Sequence, residues 1–239
     1  MKTLSIIFLS LFVLMSCSTT DVAKIPIQKV LIEVQAVDPT KVTVEKQSIN
    51  QSMEVNNPEG KLSGLSFIIE DRAFIQIYSG ISTVDVKHLW NDLMYLKHKT
   101  TIKKVDFFIN SPGGNAFAGL ALADQIECAI RNGFEITAHA SGIIASAAVP
   151  VFAACSKRLA AEGTIFMVHE ASLWKWPGRE TASDIRSQGE LMDLLRDRYI
   201  GKLVSGSNLS KEEWETMEKE TTWFSSEQAK EWGLVDEIE

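Results

Sequence analysis

The rhythm of hydrophobic and polar positions changes several times along this chain, and each change marks an element. Leu65–Glu70 and Ala73–Tyr78 are runs of β-branched and aromatic residues around Asp71-Arg72, which predicts two strands joined by a turn. Over Val84–Leu96 the apolar residues fall at Val86, Leu89, Trp90, Leu93 and Leu96, a helical spacing. Val105–Asn110 (VDFFIN) is a short apolar strand, broken by Ser111-Pro112-Gly113-Gly114. A helix over Gly119–Arg131 follows, with Leu122, Ala123, Ile126 and Ile130 on one face, and then a strand over Glu135–Ala140. Ser141-Gly142 reads as a turn into an Ala-rich helix, Ala145–Ala154, and Leu159–Ala161 and Thr164–Val168 read as strands. Ala182–Val204 predicts a long helix with Ile185, Met192, Leu195, Tyr199 and Leu203 in register, and Lys211–Glu220 and Ser225–Trp232 predict shorter ones. Strand–helix alternation with short turns implies an α/β domain built of βαβ units. Ahead of it, one strand is expected at Lys29–Ala36, and Gln47–Lys61, rich in Asn, Ser, Glu and Gly, reads as loop.

The first residues have a different pattern. Lys2 precedes an apolar run from Leu4 to Met15, followed by small residues, the order of a secretory signal. The run is too short to span a bilayer, which takes about 20 apolar residues. Leu14-Met15-Ser16-Cys17 resembles the lipobox of bacterial lipoproteins. That resemblance implies a diacylglycerol on the Cys17 thiol and cleavage before Cys17, with Ser18 fitting outer-membrane sorting in a Gram-negative cell. The expected organisation is a signal peptide over 1–16, a tether and N-terminal lead over 17–63, and one domain over 64–239. The product would be an exported, membrane-anchored lipoprotein facing the periplasm.

Composition narrows the function classes. The chain has 239 residues, 45% hydrophobic and 23% charged, ordinary values for a globular protein. Its net charge of −7 disfavours nucleic-acid binding. The segment Lys211–Glu239 holds ten acids and three lysines, so the rest of the chain is neutral in sum. Such a segment reads first as a solvated acidic helix. Cys128 and Cys155 lie in apolar helical contexts and read as buried free thiols, a disulfide being the alternative in an exported protein. No metal and no cofactor are expected.

Two strand-to-helix turns carry candidate chemistry. Paired glycines in Asn110-Ser111-Pro112-Gly113-Gly114 let backbone N–H groups face outward, where they can stabilise an oxyanion. Gly142-Ile143-Ile144-Ala145-Ser146-Ala147 sets a serine at the expected start of a helix, positioned as a nucleophile. Either alone is an ordinary turn or an N-cap. A serine needs a base, and the chain has four histidines. His88 and His98 sit among lysines and read as solvated, and His139 lies inside a strand and reads as packed. His169 ends the apolar strand TIFMVH, at the strand end where open α/β sheets build ligand sites.

The segments FFINSPGGNAFAGLALADQI, ASGIIASAA, KRLAAEGTIFMVHEA and WFSSEQAKEWGLVDEI together resemble the proteolytic subunit of the Clp protease and its phage prohead-protease relatives, over roughly Asp71 to Ile238. The resemblance implies an α/β ClpP/crotonase-like fold, a spiral of ββα units with a protruding handle helix that assembles into rings. It implies Ser146 as nucleophile, His169 as general base, and the backbone N–H groups of Gly114 and Ala147 as the oxyanion hole. It departs at the family's third catalytic residue, an aspartate, whose position here is Met217. Glu218 is the possible third member, with Glu220 nearby. The family's Gln-Pro after the histidine is replaced by Glu170-Ala171, and Trp174 and Trp176 beyond it suit core packing, a ring contact, a substrate groove or a membrane-facing aromatic patch. Ala182–Val204 corresponds to the family's handle.

The resulting expectation is a serine endopeptidase that cleaves peptides or unfolded segments as a homo-oligomeric ring. Outside the cytoplasm it would meet no ATP, so no ATPase partner is expected, and none of nucleic acid. The competing readings are a catalytically impaired scaffold, a Ser–Lys protease resembling signal peptide peptidase A with Lys175 or Lys157 as base, and a crotonase-type acyl-CoA enzyme. The anchor has a direct check. Cells fed a clickable fatty acid should label the mature protein, and Cys17→Ala should abolish the label, whereas a labelled Cys17→Ala protein would exclude Cys17 as the anchor.

Overall fold

The computed structural model describes residues 62–63, 66–172 and 179–239, together with the backbone of 27–31 and 47–51. The expectations placed on Cys17, Trp174, Lys175 and Trp176 lie outside the described residues.

Near the N-terminus, β1 (Ile27–Leu31) and β2 (Gln47–Gln51) form an antiparallel pair. The second of these replaces the loop expected from its polar composition, because ladder hydrogen bonds come from the backbone and do not require apolar side chains. The main sheet begins with the predicted hairpin, β3 (Ser66–Ile69) and β4 (Arg72–Ile77), turning through Glu70 and Asp71 with Glu70 at φ 53°. Helix α1 (Thr83–Lys99) returns the chain to β5 (Lys104–Ser111), which lies parallel to β4. Helix α2 (Ala116–Arg131) then leads to β6 (Glu135–Ala145), parallel to β5. After helix α3 (Ala148–Ala153) come β7 (Lys157–Ala160) and β8 (Ile165–Val168), both parallel to β6. The chain ends with α4 (Ala182–Ser205), α5 (Lys211–Glu220), β9 (Thr222–Ser225), α6 (Ser226–Glu231) and β10 (Glu237–Ile238).

The eight-stranded sheet runs β10-β7-β6-β5-β4-β3, with β8 branching from β6 and β9 antiparallel to β8. Period-2 alternation sorts its two faces. Ala73, Ile75 and Ile77 of β4, Val105, Phe107 and Ile109 of β5, and Ile136, Ala138 and Ala140 of β6 are buried in the core. On the other face Phe67, Phe74, Phe108 and His139 stack in a half-exposed row, with centroids 5.1, 6.2 and 4.7 Å apart. His139 is therefore packed, as expected, and is held by Asp106 at 3.1 Å and Glu239 at 3.4 Å.

Three sequence expectations are corrected here. The strand predicted to stop at Ala140 continues to Ala145, and the helix after it starts at Ala148 rather than Ala145. The cause is a change of neighbour. Thr137–Ala140 pairs with β7 and Ile143–Ala145 with β8, so the glycine at 142 bends a continuing strand instead of ending it. Residues 222–225, partly assigned to a helix, form β9, because α5 ends at Thr221 with φ 56° and turns the chain along β8. Cys128 and Cys155 are free, but only Cys155 is buried, its thiol pushed up to about 12 by desolvation.

The long helix divides in two. Leu195, Ile200 and Leu203 are buried, while Ile185, Leu191 and Leu194, all ahead of them, are exposed. The register expected for Ile185 therefore does not bring it to the core, and its side chain is exposed. The acidic C-terminal segment is only in part solvated. Glu213 completes a capping box with Ser210, Asp236 pairs with Arg158 at 2.7 Å, and Glu218 is buried.

Asp106 has an electrostatic role on the open face. Burial would raise its pKa, but hydrogen bonds from Arg72 (2.5 and 2.7 Å) and His139, with their attraction, hold it below the ordinary carboxylate value. A carboxylate depressed in the folded state adds stability above its unfolded pKa, about 3.9, and that contribution is lost as pH falls through the lower folded value. Urea unfolding should find Asp106→Asn less stable than the parent at pH 7. The gap should narrow toward pH 3, and a gap independent of pH would overturn the assignment.

Candidate active site

Parallel pairing brings the C-terminal ends of β4, β5, β6 and β8 together, and the turns that follow β5, β6 and β8 carry the candidate residues. The turn after β5 is locked by Ser111, whose hydroxyl donates to Ser79 O at 2.6 Å and accepts from Gly113 N–H at 3.2 Å. Gly113 and Gly114 adopt φ of 92° and 145°, open to glycine and strained for any other residue. A Cβ at Gly113 would lie 2.6 Å from Ala145 O and 2.7 Å from Ser146 Cβ. The glycine loop thus lies in backbone contact with the turn that carries the serine. Ile81 closes it from the other side, donating to Gly113 O at 2.6 Å and accepting from Asn115 N–H at 2.9 Å.

Ser146 does not begin a helix. It occupies the bend between β6 and α3 at φ 54°, a left-handed conformation that costs a non-glycine residue about 1–2 kcal/mol. Its N–H donates to Met167 O at 2.8 Å, so β8, which ends one residue before His169, also anchors the serine backbone. The side chains meet accordingly: His169 Nε2 lies 2.8 Å from Ser146 Oγ. That distance is within reach for proton transfer from a hydroxyl to an imidazole. Among the described residues, the N–H groups of Gly114 and Ala147 have no backbone partner. Both residues line one cavity of about 300 Å³ with Ser146 and His169.

Glu218 also lines this cavity and is buried, at 2% exposure. It does not orient His169. Its Oε2 accepts from Arg196 Nε at 2.8 Å, and among the described residues His169 Nδ1 has no hydrogen-bond partner. A buried carboxylate takes the available cation, since leaving it unpaired would be more costly. Desolvation outweighs the Arg196 contact and, with repulsion from Glu170 and Glu215, raises the Glu218 pKa above the ordinary value. Met217, at the family's aspartate position, packs against the core, and Glu220 is exposed. Lys157 faces away as a base candidate, half-exposed and paired with Glu237 at 3.1 Å.

Sequence reasoning did not place Phe117, Leu120, Arg196 or Tyr199 at the site, yet all four line the cavity. For Tyr199 the signal was present in its four-residue spacing from Leu195, another cavity residue. Arg196 carried no such signal. Among the described residues, no group of three or more His, Cys, Asp or Glu side chains could hold a metal ion.

An α/β sheet that holds at its strand ends a Ser–His pair and, among the described residues, two N–H groups without a backbone partner has the arrangement of a serine hydrolase. Comparison with known proteins agrees with this. A family model described as Clp protease matches residues 61–239. The chain is 30% identical over 151 residues to an ATP-dependent Clp protease proteolytic subunit 3 from Synechococcus sp. (strain CC9605), covering 61% of this chain and 72% of that protein. It is 31% identical over 156 residues to a proteolytic subunit 1 from Chlamydia pneumoniae, covering 64% and 77%. A point mutant of ClpP1 from Listeria monocytogenes superposes with a TM-score of 0.61 at 23% identity, over 70% of this chain and 90% of that one, which shows the same fold. The chain belongs to the Clp protease family, and the protein is a serine peptidase of the ClpP-like α/β fold.

The contact between α2 and the serine turn is tight enough to test. A Cβ at Gly119 would lie 2.5 Å from Ala147 O, whereas one at Gly189 in α4 meets nothing within 4 Å. Gly→Ala inside a helix normally stabilises by about 0.5–1 kcal/mol. Gly189→Ala should do so, while Gly119→Ala should destabilise by about 1–3 kcal/mol through overpacking. Thermal melts read both changes, and equal gains would refute the contact.

Proposed function

We propose that Ser146 and His169 form the catalytic pair of a membrane-anchored, ATP-independent endopeptidase. The observation that carries this reading is the 2.8 Å contact between His169 Nε2 and Ser146 Oγ. In this scheme Ser146 Oγ attacks the scissile carbonyl while His169 Nε2 takes its proton. The tetrahedral oxyanion rests on the N–H groups of Gly114 and Ala147. His169 then returns the proton to the leaving amine, and water hydrolyses the acyl-enzyme by the reverse sequence. Phe117, Leu120 and Leu195 give the cavity an apolar wall suited to an apolar side chain of an extended or unfolded peptide.

The described geometry supports a dyad. Glu218 becomes the third member only on leaving Arg196 for His169 Nδ1. Export and the anchor at Cys17 rest on the N-terminal pattern, and the absence of an unfoldase partner rests on export, although the relatives are named ATP-dependent. Self-assembly into a ring is supported by the exposed apolar residues Ile185, Leu191 and Leu194 of α4. The scaffold reading draws on Met217 and on His169 Nδ1, which has no partner among the described residues.

A fluorophosphonate probe separates these readings. The purified protein should label, and Ser146→Ala and His169→Ala should each lose labelling by at least a thousandfold, as partners in one proton transfer. An unlabelled parent protein would favour the scaffold. Glu218→Gln should change the rate by less than tenfold for a dyad, and a loss near 10⁴ would identify Glu218 as the orienting acid.

A further inference from the structure

The carbonyl of Ser146 and the N–H of Ala147 are the two ends of one peptide group. Whatever holds the carbonyl therefore decides where the N–H points. Among the described residues two groups hold it: the Val149 N–H, at 3.0 Å within the following turn, and the hydroxyl of Tyr199 on helix α4, at 3.2 Å. The peptide also has reason to move. Ser146 is at φ 54°, and a residue in that region keeps it only while its surroundings over-determine it. Its N–H is tied to Met167 O, and Gly113 and Gly119 press on the turn from two sides. Of these restraints only Tyr199 is a side-chain group from outside the turn that binds the peptide oxygen itself. Burial, with the Glu218 charge nearby, pushes the phenol pKa up, so its hydroxyl stays a donor through the working pH range.

We propose, on the reading above in which Ala147 supplies an oxyanion donor, that Tyr199 is a positioning residue for that donor. Its hydroxyl fixes the plane of the Ser146–Ala147 peptide and aims the Ala147 N–H into the cavity. A hydrogen bond accepted by the oxygen of an amide also polarises it and strengthens its N–H as a donor, so the same contact both orients and sharpens the hole. The effect belongs to the transition state. A bound substrate carbonyl carries little charge, and the oxyanion carries a full one, so losing the contact lowers the rate of the chemical step and leaves binding nearly unchanged.

The test is saturation kinetics of fluorophosphonate labelling on the full chain in detergent, comparing the parent with Tyr199→Phe. The parent must label for the Ser–His reading to stand, and an unlabelled parent overturns that reading together with this one. With a labelling parent, Tyr199→Phe should lower the limiting rate roughly three- to tenfold, the scale of one hydrogen bond. The half-saturating probe concentration should stay within twofold. Tyr199→Met, which keeps apolar bulk and reach, should show the same fall if the hydroxyl is responsible, and it serves also if Tyr199→Phe does not fold. An unchanged limiting rate, or a loss confined to half-saturation, overturns the proposal for Tyr199 and leaves the Ser–His reading intact.

Discussion

Strand β6 has two partners on one side: Thr137–Ala140 pairs with β7, and from Ile143 the strand continues against β8. The bend between them falls at Gly142, at φ 69°, with Ile143 N–H taken up by Asn110 Oδ1 at 3.2 Å. The site depends on this change of neighbour. It carries β6 beyond the end of β7 and delivers Ser146 onto the end of β8, where Met167 O receives its N–H. His169 comes two residues later on the same strand line, so the Ser–His distance follows from strand register and not from a flexible loop. The glycine loop after β5 closes the arrangement because only backbone without a Cβ fits against the serine turn. Backbone contacts between strand ends and turns thus position Ser146, His169 and the N–H groups of Gly114 and Ala147, the preorganisation that the proposed oxyanion stabilisation requires.

The electrostatics of the cavity are less symmetrical than its geometry. His169 has the Ser146 hydroxyl on Nε2 and, among the described residues, no partner on Nδ1, while the buried carboxylate of the cavity is bound to Arg196. Leaving a buried carboxylate unpaired is costly, and Arg196 supplies the cation that stabilises Glu218 at 2.8 Å. The acidic C-terminal segment accordingly holds up the fold through Glu213 and Asp236 and enters the cavity through Glu218. Tyr199 contributes a neutral donor that remains protonated, suited to holding a peptide beside that charge.

Much of this was legible in the order of residues. Hydrophobic period located α1, α2, α4 and α5 and the strands β3 to β8, because burial on one face leaves a repeat of two or of about three and a half residues. The pairing of serine with histidine, and the glycine loop beside them, were legible as motifs because their backbone conformations restrict the residue types that fit. The exposed first half of α4 was not, since its apolar residues follow a core-like spacing while facing outward. Nor was the end of β6, where a glycine that usually stops a strand bends one that continues.

Local chemistry in the sequence, then, determined the elements, the turns and the residue types available for catalysis. Tertiary structure alone decided which of them meet. Glu218 goes to Arg196, 22 residues away along the chain, instead of His169. Tyr199 reaches the carbonyl of Ser146 across 53 residues. Both outcomes depend on how α4 and α5 lie against the sheet. That placement is set by packing the buried faces of Leu195, Leu203 and Trp214, a non-local competition that no short stretch of sequence encodes.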